Sequence, residues 1–393
     1  MTHNKTSHNI YDIVFVLPQP TISYPPGGYD VVYRLAQGLN KEKIRTAIIF
    51  LKKPEIYIEN YIVTEKLKKK NILYSLTASL FNLCFNGKKI SFFYDLHLYK
   101  LLRIDYDYSI LDNVDLYFYE TIENVRIKTN VIIATAWQTA YFVREYIKVH
   151  TNKSFYFIQN SEDDFSFSGE NSGNAKLTYR FPFKKIVINK KIFQRFILDE
   201  PLFFHVGIDS QFFKRIIEPK DRECIMFPLR NNVSKGAKYV IECIRKLLED
   251  TKDAKIIAYG DYKEENIPSD IKDRITYYYR PSRKVLVDLY NHSMVFVLPS
   301  IVEGMPLPPL EAMACGCAVV VTDNGGINEY INDGINGIIC PIRDSNCLYE
   351  KIMLLINDIT LRQKLIQYGL ETAQKFSYDN MNKNFVQLIK KDL

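Results

Sequence analysis

Short apolar runs alternate along this chain with amphipathic stretches of helical period. Tyr11–Leu17 is apolar and ends at Pro18, the pattern of a strand buried on both faces. A Pro- and Gly-rich loop to Gly28 follows. Tyr29–Asn40 then places apolar residues at 31, 32, 35, 36 and 39, one face of a helix, and Thr46–Leu51 is a second strand. Strand, loop, helix, strand is the repeating unit of a parallel α/β sheet. The pattern recurs with a strand at Asn130–Thr135, a helix at Ala136–Ile147, and strands at Ser154–Gln159 and Lys185–Asn189. After about residue 203 a second series begins. It has strands at Glu223–Pro228, Lys255–Tyr259, Ile275–Tyr278, Met294–Leu298 and Ala318–Thr322. Helices at Ala237–Glu249, Ser282–Asn291, Pro308–Cys315 and Leu348–Asn357 separate or follow them. The 393 residues therefore divide into two doubly wound α/β domains joined near Phe204–Phe213.

Composition narrows the classes. Apolar residues make up 47% and charged residues 25%, the balance of a folded soluble chain. No apolar run reaches the roughly 18 residues of a spanning helix, and the first residues lack the layout of a signal peptide. Seven cysteines in no framework spacing read as free thiols of a reducing compartment. The net charge of +7 lies entirely in the first half: residues 1–205 hold 27 Lys and Arg against 20 Asp and Glu, and the rest hold 25 of each. That asymmetry leaves three readings: a nucleic acid, an anionic membrane face, or a plain basic surface. Residues 65–89 add to it. Ile72–Phe85 is mostly apolar, with Lys66, Lys68, Lys69 and Lys70 before it and Lys88 and Lys89 after it. This is either an interfacial helix on anionic lipid or a core helix with solvated ends.

The densest chemistry lies in Leu298–Thr322, LPSIVEGMPLPPLEAMACGCAVVVT. A strand ends, a loop carries Glu303 and Gly304, and a helix begins with Glu311 in its first turn. Ligands of open α/β sheets sit beyond the carboxyl ends of strands, where helix starts offer N–H groups to anions. Carboxylates on loop and helix can hold hydroxyls at two points of a long polar ligand. A second loop, Phe227–Gly236, puts Arg230 and Lys235 between a strand and a helix, two cations suited to a diphosphate. A third, Pro25-Pro26-Gly27-Gly28, precedes the first helix; it is either a phosphate cradle or a simple turn.

Together these motifs resemble family 4 glycosyltransferases, the retaining members of the GT-B fold. The resemblance is strongest over residues 223–373. Glu303 and Glu311 meet its E-x7-E pattern and Arg230 and Lys235 its R-x4-K pattern. Gly207-Ile208-Asp209 with Phe212 is similar to its interdomain linker, and Thr322–Glu329 (TDNGGINE) to its T-D-x-G-G-x-x-E turn. Phe376-Ser377-Tyr378 is similar to the start of its returning tail. The resemblance implies two Rossmann-like domains facing across a cleft. An acceptor domain would span 1–203 with a crossing helix at about 375–393, and a donor domain 204–374. It implies a nucleotide-diphosphate sugar as donor, UDP- or dTDP-linked, with rhamnose or another hexose transferred. The acceptor would be a glycan or lipid-linked glycan of polysaccharide or O-antigen type. No cofactor, metal or nucleic acid is implied. The location would be the cytoplasm or the inner face of the plasma membrane.

Site roles carried over by resemblance are as follows. Arg230 and Lys235 neutralise the diphosphate, and Glu311 accepts the ribose hydroxyls. Glu303, with Gly304, Met305, Pro306 and Leu307, holds the sugar and distal phosphate. Tyr279 and Arg280 lie at the base, and Gly27 and Gly28 approach the phosphates. Arg230, Lys235 and Glu303 are the catalytic set. One departure stands out: the strand exit Ala134–Thr139 has no titratable group where many relatives carry His or Asp, and Trp137 is there instead, either lining the sugar site or packed in the core. Asp105-Tyr106-Asp107 is formally a divalent-ion D-x-D motif, read here as surface. Two other readings fit the architecture: a nucleotide-sugar 2-epimerase, for which His205 and His292 are poorly placed, and a non-catalytic subunit.

Overall fold

The computed structural model describes residues 10–18, 27–51, 108–119, 122, 125, 127–150, 152–163, 169–218 and 222–391. The segment 65–89, the Asp105–Asp107 motif and Pro25-Pro26 lie outside the described residues.

The first sheet contains β1 (Ile10–Leu17), β2 (Thr46–Phe50), β3 (Asp115–Phe118), β4 (Lys128–Ala134), β5 (Lys153–Ile158), β6 (Lys184–Val187) and β7 (Leu202–Phe203). Their spatial order is β3-β2-β1-β4-β5-β6-β7, and each described pairing is parallel. The helices along this part are α1 (Gly27–Lys41), α2 (Trp137–Ile147), α3 (Ser172–Thr178) and α4 (Lys190–Arg195). Every residue of β2 is buried, the apolar Ala47–Phe50 and also Thr46, whose hydroxyl donates to the Ile44 carbonyl.

The second sheet contains β8 (Cys224–Leu229), β9 (Lys255–Gly260), β10 (Ile275–Tyr279), β11 (Ser293–Leu298), β12 (Ala318–Thr322) and β13 (Ile338–Cys340). Its order is β10-β9-β8-β11-β12-β13, all parallel. Its helices are α5 (Ala237–Asp250), α6 (Ser269–Lys272), α7 (Arg283–His292), α8 (Pro308–Ala314), α9 (Ser345–Asn357), α10 (Ile359–Lys375) and α11 (Tyr378–Ile389). Ile225, Phe227 and Leu229 alternate onto one face of β8. There they form one core with Val240, Ile244 and Leu247 of α5 and Leu348, Ile352 and Leu355 of α9. Side-chain caps start several helices: Ser282 for α7, Asp344 for α9 and Asp358 for α10 each accept an N–H from the first turn.

Two doubly wound parallel domains are thus present, as the sequence pattern requires. The contacts divide the chain into a unit of residues 1–157, 174–185 and 386–393 and a unit of residues 158–173 and 186–385. In the second sheet the direction of strand succession reverses between β8 and β11, which opens a crevice at their carboxyl ends.

Candidate active site

Two loops meet at that crevice, one leaving β8 and one leaving β11. The first turns on Asn232, whose side chain accepts the Ser234 N–H, and enters α5 through Gly236 in a left-handed conformation (φ 71°). A Cβ on Gly236 would stand 2.1 Å from the Pro299 carbonyl oxygen, so the loops approach backbone to backbone. The Ile301 N–H donates to the Ser234 carbonyl at 2.7 Å, which locks them together. Lys235 and Glu303 are consequently paired, Nζ to Oε2 at 2.8 Å, both mostly buried. Arg230 stands half-buried at the exit of β8, and no described residue forms an ion pair with it. The lysine of R-x4-K and the first glutamate of E-x7-E are therefore in direct contact.

The turn after β12 supports the β11 loop from below. Thr322 Oγ1 donates to the carbonyls of Leu298 (3.2 Å) and Ser300 (2.5 Å), and the Glu303 N–H donates to Asn324 O at 3.0 Å. Gly326 is required here, because a Cβ would meet Gly304 O at 2.1 Å. Tyr330 donates its hydroxyl to Pro306 O at 2.5 Å. The Gly304 carbonyl also receives Asn189 Nδ2 at 2.7 Å, while Asn189 Oδ1 caps α4 by accepting the Ile192 N–H. Glu329 accepts the Lys190 N–H at 2.7 Å and faces His205 Nε2 at 3.1 Å. Burial opposes its ionisation, but the His205 hydrogen bond and the Lys190 N–H and charge outweigh that and hold its carboxyl below the ordinary range. Every one of these contacts lies within the second unit.

Backbone donors line the β11 loop. No described acceptor takes the N–H of Gly304, Met305 or Leu307. Pro306 has no N–H, and prolines at 308 and 309 remove two more from the start of α8, so donors come from the loop more than from the helix. Glu311, in the first turn of α8, takes the Tyr290 hydroxyl on Oε2 at 3.3 Å, and Tyr290 and Tyr259 hydroxyls are 3.2 Å apart. Burial raises both phenols, Tyr259 to about 12. Tyr279 and Arg280 close the exit of β10. Arg280 has a left-handed backbone (φ 45°), its N–H donates to Gly260 O at 2.6 Å, and its guanidinium lies 5.3 Å from the exposed Tyr279 ring.

In the first unit, Gly27 and Gly28 open α1 just beyond β1. Trp137 is the first residue of α2, half-buried and edge-on to Tyr141 at 6.3 Å. Residues that the sequence did not single out complete the site's support: Asn189, Asn324 and Tyr290. Asn189 had a detectable signal, an Asn directly before a helical segment. Tyr290 had none, since its spacing on α7 reads as core.

The comparisons concentrate on this second half. Residues 209–372 match the family described as Glycosyl transferases group 1. A Campylobacter jejuni N,N'-diacetylbacillosaminyl-diphospho-undecaprenol alpha-1,3-N-acetylgalactosaminyltransferase is 34% identical over 28% of this chain and 30% of its own length. The Escherichia coli O-antigen chain mannosyltransferase B is also 34% identical, over 23% of this chain and 24% of its own. The chain spans less than half the length of the curated relatives it matches. Solved structures resemble it over nearly all its residues. Sucrose-phosphate synthase from Thermosynechococcus elongatus has a TM-score of 0.70 at 13% identity, covering 98% of this chain and 99% of the other. Anabaena HepE in complex with UDP has a TM-score of 0.70 at 14% identity, covering 97% and 100%. This likeness shows the fold, two parallel α/β units of the GT-B class. Among the described residues, no helix is long and apolar enough to cross a membrane.

Proposed function

We propose that the protein is a retaining glycosyltransferase that moves a hexose, rhamnose included, from a UDP- or dTDP-linked donor onto a glycan or lipid-linked glycan acceptor. The observation that carries this reading is the pairing of Lys235 with Glu303 between the loops that leave β8 and β11, with Arg230 at the exit of β8 and Glu311 on the helix that follows. Two supports come from relatives. HepE was solved with UDP and with UDP-glucose. The Campylobacter relative is named for transfer onto a diphospho-undecaprenol-linked sugar, and the E. coli relative for O-antigen chains.

In this reading the bond from the anomeric carbon to the distal phosphate oxygen breaks, and the acceptor oxygen bonds to that carbon on the same face. The departing phosphate oxygen takes the acceptor's proton. Arg230 and Lys235 offset the charge that develops on the diphosphate, aided by the N–H groups of Gly304, Met305 and Leu307. Glu303 holds the transferred sugar, Glu311 the ribose hydroxyls, and Tyr279 and Arg280 border the base. These cations do the work that a divalent ion does elsewhere, so no metal is required. The protein acts in the cytoplasm, against the inner face of the membrane where the acceptor is lipid-linked.

A thermal-shift panel of UDP, dTDP, GDP, ADP and CMP, with and without EDTA, tests the donor site. A ligand at 100 times its dissociation constant stabilises the folded state by about 2.7 kcal/mol. One diphosphate is expected to raise the melting temperature regardless of EDTA, and Arg230→Ala to abolish the rise. No shift with any nucleotide defeats the reading, and a shift lost in EDTA defeats its metal-free form.

A further inference from the structure

Glu311 does not stand alone on α8. Behind it lie two buried phenols, Tyr290 on α7 and Tyr259 on β9, exposed by 0% and 2%. The hydroxyls form a chain: Tyr259 to Tyr290 at 3.2 Å, and Tyr290 to Glu311 Oε2 at 3.3 Å. A phenol has one proton to donate. If Tyr290 gives its proton to the carboxylate, its oxygen must accept from Tyr259, so the order of the chain is fixed. The Tyr290 ring is held edge-on by Phe213 at 6.1 Å, Phe296 at 5.4 Å and Tyr259 at 6.4 Å, which fixes the position of its hydroxyl oxygen.

We propose that Tyr290 is a positioning residue that orients the Glu311 carboxylate toward the pentose hydroxyls of the nucleoside (O2' and O3' of a ribonucleoside, O3' alone of thymidine), with Tyr259 fixing the direction of the Tyr290 proton. The inference rests on the role given to Glu311 under Proposed function. A carboxylate has about four acceptor positions, enough for one tyrosine and two ribose hydroxyls. The 3.3 Å separation exceeds the usual value of about 2.7–2.8 Å, and contacts of this kind shorten once a ligand completes the site. Burial keeps both phenols protonated through neutral pH, so the chain is always in its donating form.

The test compares two ligands on two proteins by isothermal titration. The ligands are the nucleoside diphosphate that the wild type binds and its 2',3'-dideoxy counterpart. Tyr290→Phe keeps the ring and removes the hydroxyl. It is expected to weaken the ribonucleotide about five- to tenfold, the net effect of one ordinary hydrogen bond, and to leave the dideoxy ligand unchanged. KM for the donor rises in step while kcat holds. Equal weakening of both ligands would mean a structural role only, and no weakening of either would mean no role; each overturns the proposal. Should Tyr290→Phe fail to fold, Tyr259→Phe is read the same way, with the same selectivity and a loss of about twofold. A wild type that binds no nucleoside diphosphate removes the donor-site reading itself and this proposal with it, an outcome visible before any variant is made.

Discussion

Lys235 and Glu303 neutralise each other in the structure described here, at 2.8 Å and with 27% and 15% of their side chains exposed. A partly exposed pair of this kind contributes about 1 kcal/mol or less, so it is readily exchanged for a stronger partner. On the proposed reading a diphosphate is such a partner for Lys235, and its arrival would leave Glu303 to accept sugar hydroxyls. On that reading the ion pair competes with donor binding. Glu303→Gln ends that competition while removing the charge that holds the sugar. Its expected signature is a split: nucleoside diphosphate binds about two- to fivefold tighter by titration, and turnover falls by about tenfold or more. Unchanged or weaker diphosphate affinity in Glu303→Gln would show that Lys235 serves a purpose other than phosphate. Arg230, with which no described residue forms an ion pair, has no such competitor, so on the proposed reading it is expected to be the stronger phosphate ligand of the two.

At the scale of the element, the site is made by loops pressed together at glycines. Gly236 combines a left-handed backbone with a Cβ position 2.1 Å from the Pro299 carbonyl oxygen, so no side chain fits without separating the two loops. Gly236→Ala is expected to lower stability by at least about 2 kcal/mol and to abolish the thermal shift with diphosphate; a melting temperature within a degree of wild type would contradict the packing described. Much of this was legible beforehand. The runs around Phe227 and Phe296 are apolar and end at loops carrying Arg230 and Glu303, so strand exits and candidate ligands come from the pattern alone. Short elements were not legible. β3 has four residues and starts with Asp115, and β13 has three, too few for alternation to stand out. The helix α10 was missed as well: Ile359–Lys375 continues from α9 after a single residue, Asp358, and its own cap is hidden in that join. The support of the site was hidden for another reason. Asn189 reaches Gly304 across 115 positions and Tyr290 reaches Glu311 across 21, and such partners are set by how elements pack, not by local periodicity.

For the whole molecule, similarity is unevenly spread, and the charge is uneven in the opposite half. The family match covers residues 209–372, while solved structures at 13–14% identity resemble nearly the whole chain. On the proposed reading this spread follows from chemistry: a donor diphosphate is common to many transfers, whereas acceptors differ. That first half is also where all the excess positive charge lies. A lipid-linked acceptor presents its sugar at an anionic surface, and each Lys or Arg near such a surface adds about 1 kcal/mol of attraction. Lys68, Lys69 and Lys70 beside the apolar stretch 72–85 are the densest such group in the sequence. Reversing all three to Glu should lower sedimentation with phosphatidylglycerol vesicles by about tenfold or more and leave the diphosphate-induced thermal shift intact, because no donor-site residue is altered. Vesicle binding equal to wild type would remove the membrane from the account and return residues 65–89 to the reading of a core helix with solvated ends. Loss of the thermal shift together with vesicle binding would mean that the substitutions disturb the fold, and a single reversal at Lys69 would then carry the comparison.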